Sequence, residues 1–452
     1  MHDAIAEVKV DTNVYNAEIG RNAGAVVNII TKSGTNQYHG SAYEFFRNDI
    51  FDARDFFAKV GVTKKPEYRQ NQFGGSIGGP IVKDKTFFFA DVEDLRIIQG
   101  LSSGLKTVPT LYEEQHPGDF SDINGPVVPS ASLDPVGLAY FKLFPTPNIP
   151  GAGVVNNFES APNETQYALS LDGRIDQHFR NGDLLSGRYT YNNVHTTIPT
   201  PFPEVSIDGA NVLPGGGSFG YFGPSITKAH GFQLNYVHVF SPSLLLESKA
   251  GYSRIDIDTV NPNTGNISST FGLINVNTPI APETGGLMPV GFNTGGYTGL
   301  GDSPYIPILD VNNTFQYMGA LTYTRGAHNI KMGAGIIRRQ LNYFQSPYPL
   351  GYVHFSNKTG NSLEDMLTGM AFGYQRGNLL IKPGYRGWEP DEYMQDDWRI
   401  NRGLTLNLGV RYEISTAFTE AHNRYANFDY PTLEQSKRLF SSSLMFGKAG
   451  RT

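Results

Sequence analysis

From Tyr167 onward the chain alternates with period two. Tyr167, Leu169, Leu171, Gly173, Ile175 and Phe179 fall on one side of an extended strand, and Ser170, Asp172, Arg174, Asp176, His178 and Arg180 fall on the other. Asn181-Gly182-Asp183 is a tight-turn signal. After it, Leu185, Gly187, Tyr189 and Tyr191 oppose Ser186, Arg188, Thr190 and Asn192, so the two runs predict one hairpin. The device recurs at Asn401-Arg402-Gly403, beyond which Leu404, Leu406, Leu408, Val410 and Tyr412 alternate with Thr405, Asn407, Gly409, Arg411 and Glu413. Further strands are predicted over 38–46, 69–79, 86–94, 228–239, 244–255, 313–324, 329–343, 352–356, 370–376 and 388–400, about thirteen in all. A short amphipathic helix is predicted over 362–368, with Asn361 as its cap.

The connections alternate in length. Those over 80–85, 180–183, 240–243, 325–328 and 401–403 are short, while 47–68, 95–166, 193–227 and 256–312 are long and rich in Pro, Gly, Asn and Ser, a composition of turns and flexible loops. This is an up-and-down meander with unequal ends. Two architectures satisfy it. A soluble sandwich or propeller would bury the apolar strand faces against one another. A membrane barrel would turn them to lipid and line a polar lumen with the charged faces, its short turns on one side and long loops on the other. Strands of about 9–13 residues with tyrosines near their ends fit the second better.

Composition narrows the function. The stretch richest in apolar residues, 23–30, is far short of the ~20 residues of a spanning helix. A net charge of −6 from 36 basic and 42 acidic residues disfavours nucleic acid as a partner. With no cysteine, the chain holds no disulfide, Cys-zinc site or catalytic thiol. The first ten residues lack the basic-then-apolar order of a secretory signal.

Three stretches carry a resemblance. Ala17-Glu-Ile-Gly20-Arg-Asn-Ala-Gly24-Ala-Val-Val-Asn28-Ile-Ile-Thr31-Lys-Ser-Gly34-Thr-Asn-Gln-Tyr38-His-Gly40 resembles the end of the plug domain, and its hand-over to the first barrel strand, in TonB-dependent outer-membrane receptors, with wording closest to the Oar-like branch. The run from Tyr393 to Glu413, and Asn71-Gln-Phe-Gly-Gly-Ser-Ile-Gly-Gly-Pro80 leading into Lys85-Thr-Phe-Phe-Phe-Ala-Asp91, are similar to barrel hairpins of that family. The resemblance implies an all-β fold: a partial antiparallel transmembrane β-barrel, about 13 of 22 strands, preceded by the C-terminal remnant of a plug. Residues 1–36 would end the plug, and 37–452 would form the N-terminal part of the barrel with long extracellular loops. It also implies that a signal peptide, a TonB-contacting segment and most of a plug precede this stretch and that more strands follow, which makes the chain a fragment.

Within that frame Gly20, Gly24, Asn28, Thr31 and Gly34 form the plug-to-barrel motif. Gly20, Gly24 and Ala25 leave little bulk for a close approach, and Val26, Val27, Ile29 and Ile30 read as a core strand. Arg174, Asp176, Arg188, Arg411 and Glu413 are the lumen-facing candidates, with opposite charges on neighbouring strands available to hold the plug; the bland alternative is a solvated charged face. Arginine-to-leucine changes there are expected to cost less than Leu406→Arg on the other face.

Enzymatic motifs fail on context. Gly74-Gly-Ser76-Ile-Gly78 matches a nucleophile elbow, but Gly79-Pro80 and an aromatic strand follow where a helix is required. Ser225-Ile-Thr-Lys228 with Lys358-Thr-Gly360 mimics a β-lactamase set without its Ser-Asp-Asn. The ten histidines show no metal-binding spacing, and no nucleotide-binding glycine motif occurs. No enzyme, cofactor or metal is expected. The implied function is energised uptake of an unidentified solute across a Gram-negative outer membrane, with lipid and the TonB system as partners. The alternative is a surface β-protein or adhesin that binds a partner through its loops.

Overall fold

The computed structural model describes residues 3–12, 16–20, 24–53, 65–217, 220–279, 281–292, 296–378, 380–424, 426–428 and 444–446. Two short strands, β1 (Ile5–Asp11) and β2 (Val26–Thr31), pair antiparallel as a separate ribbon. The long strands follow: β3 (His39–Asn48), β4 (Tyr68–Val82), β5 (Thr86–Gly100), β6 (Asn163–His178) and β7 (Leu184–Ile198). After the small hairpin β8 (Val205–Ile207) and β9 (Ala210–Val212) come β10 (Gly223–Ser241), β11 (Leu244–Thr259), the short β12 (Val290–Phe292), β13 (Ile308–Arg325) and β14 (His328–Gln345). The remainder are β15 (Tyr352–Phe355), β16 (Gly373–Gln375), β17 (Gly384–Asn401), β18 (Leu404–Glu413), β19 (Thr419–Glu420), and the pair β20 (Ala426–Phe428) and β21 (Leu444–Phe446).

One 12-stranded sheet runs in chain order β3-β4-β5-β6-β7-β10-β11-β13-β14-β17-β18, with β19 added to β17. Every neighbour is antiparallel. The turns after β4, β6, β10, β13 and β17 are short and all lie at one end, as the connection lengths predict. Two of the thirteen expected strands leave this wall: β15 and β16 join β12 in a 3-stranded sheet among the long loops. The wall strands from β4 to β17, 15–19 residues long, also exceed the expected length, whereas β3 and β18, at 10 residues, match it. Spanning a bilayer takes ~9–11 residues, so the surplus carries the hairpins beyond the hydrocarbon toward the loops.

The register explains the facing. Read across the sheet, Phe88, Ile175, Gly187, Leu234, Ala250, Tyr317 and Ile336 are successive partners, one unbroken apolar row. On the opposite face Ser41, Ser76, Asp91, Asp172, Thr190, Gly231, Ser253 and Thr314 are successive partners in a polar row. Burial is inverted relative to a soluble sheet: Asp172 and Asp176 are 4% and 3% exposed, Ile175 and Leu408 53% and 54%. A sandwich would bury the second pair, and a barrel wall leaves them for lipid.

The long loops are not structureless. Residues 101–162, 199–222, 260–307 and 346–383 carry α1 (Leu111–Gln115), α2 (Pro135–Phe141), α3 (Ile267–Thr270) and α4 (Ser362–Leu367), and together they build a hydrophobic core. Val108, Phe120, Leu143, Phe202, Leu287, Leu300, Leu363 and Leu367 are fully buried in it. The expected helix is α4; Asn361 caps it by accepting a hydrogen bond from the Leu363 N–H at 2.8 Å. Buried polar groups tie the loops together. Glu113 accepts from Thr110 N–H and from the Tyr297 hydroxyl, and burial raises its pKa. Asp302 accepts from Leu287 N–H at 2.7 Å and from Asn263 Nδ2 at 2.9 Å, while Asn263 also bonds the backbone of Leu213. Burial pushes Asp302 up to about 7.

Candidate functional site

The polar face of the wall holds the segment 1–36 at two places far apart in the sheet. At the first, Asp3 accepts from the hydroxyls of Ser41 on β3 and Ser76 on β4 and pairs with Lys32 at 2.7 Å. Lys32 first, and then the two hydroxyls, hold its carboxyl well below the usual carboxylate range. On β6 the Arg174 guanidinium pairs with Asp176 at 2.8 Å and donates through Nη1 to the Thr31 carbonyl at 3.0 Å. Ser33 donates its hydroxyl to Asp176. Gly34 lies against the backbone carbonyls of Gly79 and Phe88, where a Cβ would overlap both. Asn36 then exchanges hydrogen bonds with Asp84 in the short β4–β5 turn, fixing the height at which the segment enters β3.

At the second place the holding groups come from β14, β17 and β18. Arg411 pairs with Asp391 at 2.8 Å and with Glu413, and donates to the carbonyls of Glu18 at 3.0 Å and Ala17 at 3.3 Å. Gln395 accepts from the Ala17 N–H at 2.8 Å, and Lys331 reaches the Glu18 carboxylate at 2.6 Å and Glu247 at 3.4 Å. Gly20 abuts the side chains of Arg411 and Glu413, leaving no room for a Cβ. These are charge-assisted bonds in a partly water-excluded space, the stronger kind.

Of the lumen candidates, Arg174, Asp176 and Arg411 bond the segment directly, and Glu413 borders Gly20. Arg188 does not reach it. Its guanidinium goes to Asp172 at 2.6 Å, and it lines a hollow of about 410 Å³ with Thr190, Gln233, Lys249 and Gln316, floored by Gly231 and Gly251. Arg174 stands directly across from Arg188, and each pairs with an aspartate of β6, Arg188 reaching across from β7. In the motif, Thr31, Gly20 and Gly34 touch the wall, while Asn28 reaches only Asp11, at 3.4 Å. Around Gly24 a Cβ would meet open space, so close approach is not its role. Val27, Ile29 and Ile30, expected in a core, are about half exposed, because among the described residues β2 pairs only with β1 and no layer covers it. Ser76, centre of the elbow-like motif, sits mid-strand in β4.

The holding residues that single-site reasoning passed over are Asp3, Glu18, Lys331, Asp391 and Gln395. The signal was present in part: Asp391 and Gln395 share the alternation parity of Tyr393 on the polar side of β17, but which strand faces which plug residue is not written in a period of two.

A family model for the outer membrane beta barrel domain matches residues 30–451. The chain belongs to that family. As an outer membrane β-barrel chain it resides in the Gram-negative outer membrane, and it is similar to TonB-dependent transporters. The TonB-dependent transporter Oar of Myxococcus xanthus is 23% identical over 465 residues, an alignment covering 92% of this chain and 40% of Oar. The crystal structure of the outer membrane transporter YddB from Escherichia coli matches with a TM-score of 0.50 at 10% identity, over 92% of this chain and 44% of YddB. The siderophore receptor PirA from Acinetobacter baumannii gives 0.46 at 12%, over 92% and 45%. The chain thus spans less than half the length of the relatives it matches.

Proposed function

We propose that residues 1–36 are the end of a plug, that 37–452 are the first part of the barrel around it, and that the parent protein is an outer-membrane transporter driven through TonB. Arg174, Asp176, Arg188, Arg411 and Glu413 line its lumen in this reading, and Gly20, Gly24, Asn28, Thr31 and Gly34 form the hand-over. The observation that carries it is the double attachment: one segment bonded through Thr31 and Ser33 to β6 and through Ala17 and Glu18 to β14, β17 and β18. A segment held across a polar wall by solvent-sensitive charge-assisted bonds is suited to being displaced by a pull and returning. Energy relayed to the preceding plug residues would break these bonds and open a path for a solute received at the loops.

The test uses the absence of cysteine from this chain. In the full-length transporter a Ser33→Cys variant is labelled with a membrane-impermeant maleimide in energised cells and in cells treated with a protonophore. Labelling of that thiol should rise in the energised state. Labelling indifferent to energisation would overturn the reading.

A further inference from the structure

The wall cations that hold segment 1–36 differ in what they keep when it moves. Arg174 has Asp176 of its own strand at 2.8 Å and gives the segment only bonds to the Thr31 carbonyl and hydroxyl. Arg411 has Asp391 at 2.8 Å and gives the segment only bonds to the carbonyls of Ala17 and Glu18. Removing the segment leaves both guanidiniums paired with the wall. Lys331 is arranged the other way round. Its nearer carboxylate, Glu18 at 2.6 Å, belongs to the segment, and a wall carboxylate, Glu247 of β11, stands at 3.4 Å.

Glu247 and Lys331 are separated by a strand. β13 runs between β11 and β14, and there Ala320 is the partner of Glu247 on one side and of Gly333 on the other. A methyl group and a glycine keep the polar face low at this point, so the two long side chains meet above it. The side chains of Lys331, Glu18 and Glu247 are 28–30% exposed, and Lys249, Met318 and Tyr393 border the same crevice as the two glutamates. A partly buried ammonium stripped of its close anions is costly. Two carboxylates that share one ammonium also repel each other, so the one that stays pairs more strongly once the other has left.

We propose that Glu247 is the carboxylate that takes over Lys331 when segment 1–36 is displaced, so that the ion pair is exchanged and not simply broken. This rests on the reading of that segment as displaceable, and it makes Glu247 a positioning residue of the displaced state. In the held state the ammonium is shared, with Glu18 the nearer partner. As Glu18 leaves for water, the ammonium closes on Glu247, and the wall is left without an uncompensated cation. The exchange lowers the cost of displacement while leaving the held contacts as strong as they are.

The full-length protein, extracted from outer membranes in detergent, is followed by amide hydrogen exchange over residues 16–20, where the Ala17 N–H is bonded to Gln395 in the held state, with no energy source present. Glu18→Gln should speed exchange, because it weakens only the held state. Glu247→Gln should slow it about fivefold, the scale of coupling between contacting charged groups, because it deprives the displaced state of its ion pair. In a Lys331→Met background Glu247→Gln should change nothing. Faster or unchanged exchange in Glu247→Gln would show that Glu247 only braces the held network, and overturns the proposal; so does a slowing that survives Lys331→Met, or a Glu18→Gln variant that exchanges no faster than the parent. Because exchange is measured without energy, it is separable from the Ser33→Cys labelling. Labelling indifferent to energisation alongside the expected exchange pattern rejects the TonB-driven reading and keeps the change of partner, and the reverse pair of results rejects only the change of partner.

Discussion

Along β6 the side chains that water does not reach are Ser170, Asp172 and Asp176, whereas in the loops they are Phe158, Phe202 and Leu300. The same chain therefore runs two opposite burial rules. In the wall the apolar faces look outward to lipid and the polar faces look toward segment 1–36, so order comes from the hydrogen-bond ladder and from ion pairs. In the loops the ladders are only three residues long, and the chain orders itself as a small soluble protein does, by burying aromatics and satisfying the few polar groups caught among them. Glu113 and Asp302 are such groups; Arg174 and Arg411 belong to the other regime.

The contrast can be broken most forcefully at Phe202. Phe202→Ala should cost about 3–5 kcal/mol of local stability in the loop core, read as faster hydrogen exchange over 101–162 and 199–222 with the wall unchanged, while Phe232→Ala on the outward wall should leave both regions nearly as they were. On the polar face, Arg411→Leu removes the cation paired with buried Asp391 and should cost about 3–5 kcal/mol; adding Asp391→Asn should recover part of the loss in a detergent refolding assay. Leu408→Arg should cost about 2–4 kcal/mol in a bilayer, whereas Ile274→Arg on the loop surface, 81% exposed, should stay within ~0.5 kcal/mol. Comparable costs for these two would remove the case for a lipid-facing wall.

A smaller effect separates the regions by pH. Because the folded pKa of Asp302, about 7, lies above its unfolded value, its contribution to loop stability is fully present below pH 4 and is lost as pH rises through 7. Proteolysis of the loop core should therefore be faster at pH 8 than at pH 5, with a difference on the order of a few kcal/mol, and Asp302→Asn should flatten the dependence. The least effect is expected from Asn361→Ala, about 1 kcal/mol, confined to exchange in the helix 362–367.

How much of this was readable beforehand follows the same division. The hairpins at 180–183 and 401–403, the facing of Leu169, Leu171, Leu404 and Leu408, and the alternation of short and long connections all follow from a period of two and from turn residues, because a strand's two faces depend only on parity. The charged face was visible too, and Arg174, Asp176 and Arg411 do touch segment 1–36. The pairing of each charge was not visible, since Asp391 and Arg411 are brought together by the register of β17 against β18. The loop core was missed because its members come from segments more than 200 residues apart, such as Val108 and Leu367, with Pro- and Gly-rich stretches between them that carry no period.

The sequence by itself determined that the chain is a meander of long antiparallel strands with one oily and one polar face, and the wording around Gly20–Gly40 pointed to its family. Only the tertiary structure decided which polar residues meet. That choice rests on strand register and on the path of segment 1–36 across the wall, both settled by contacts between residues hundreds of positions apart, such as Ala17 with Gln395 and Glu18 with Lys331. It decided as well that 352–355 and 373–375 leave the wall to sit among the loops. A short apolar run is equally good as a barrel strand or as a buried strand in a loop core, and nothing local distinguishes the two until the neighbours that cover it are in place.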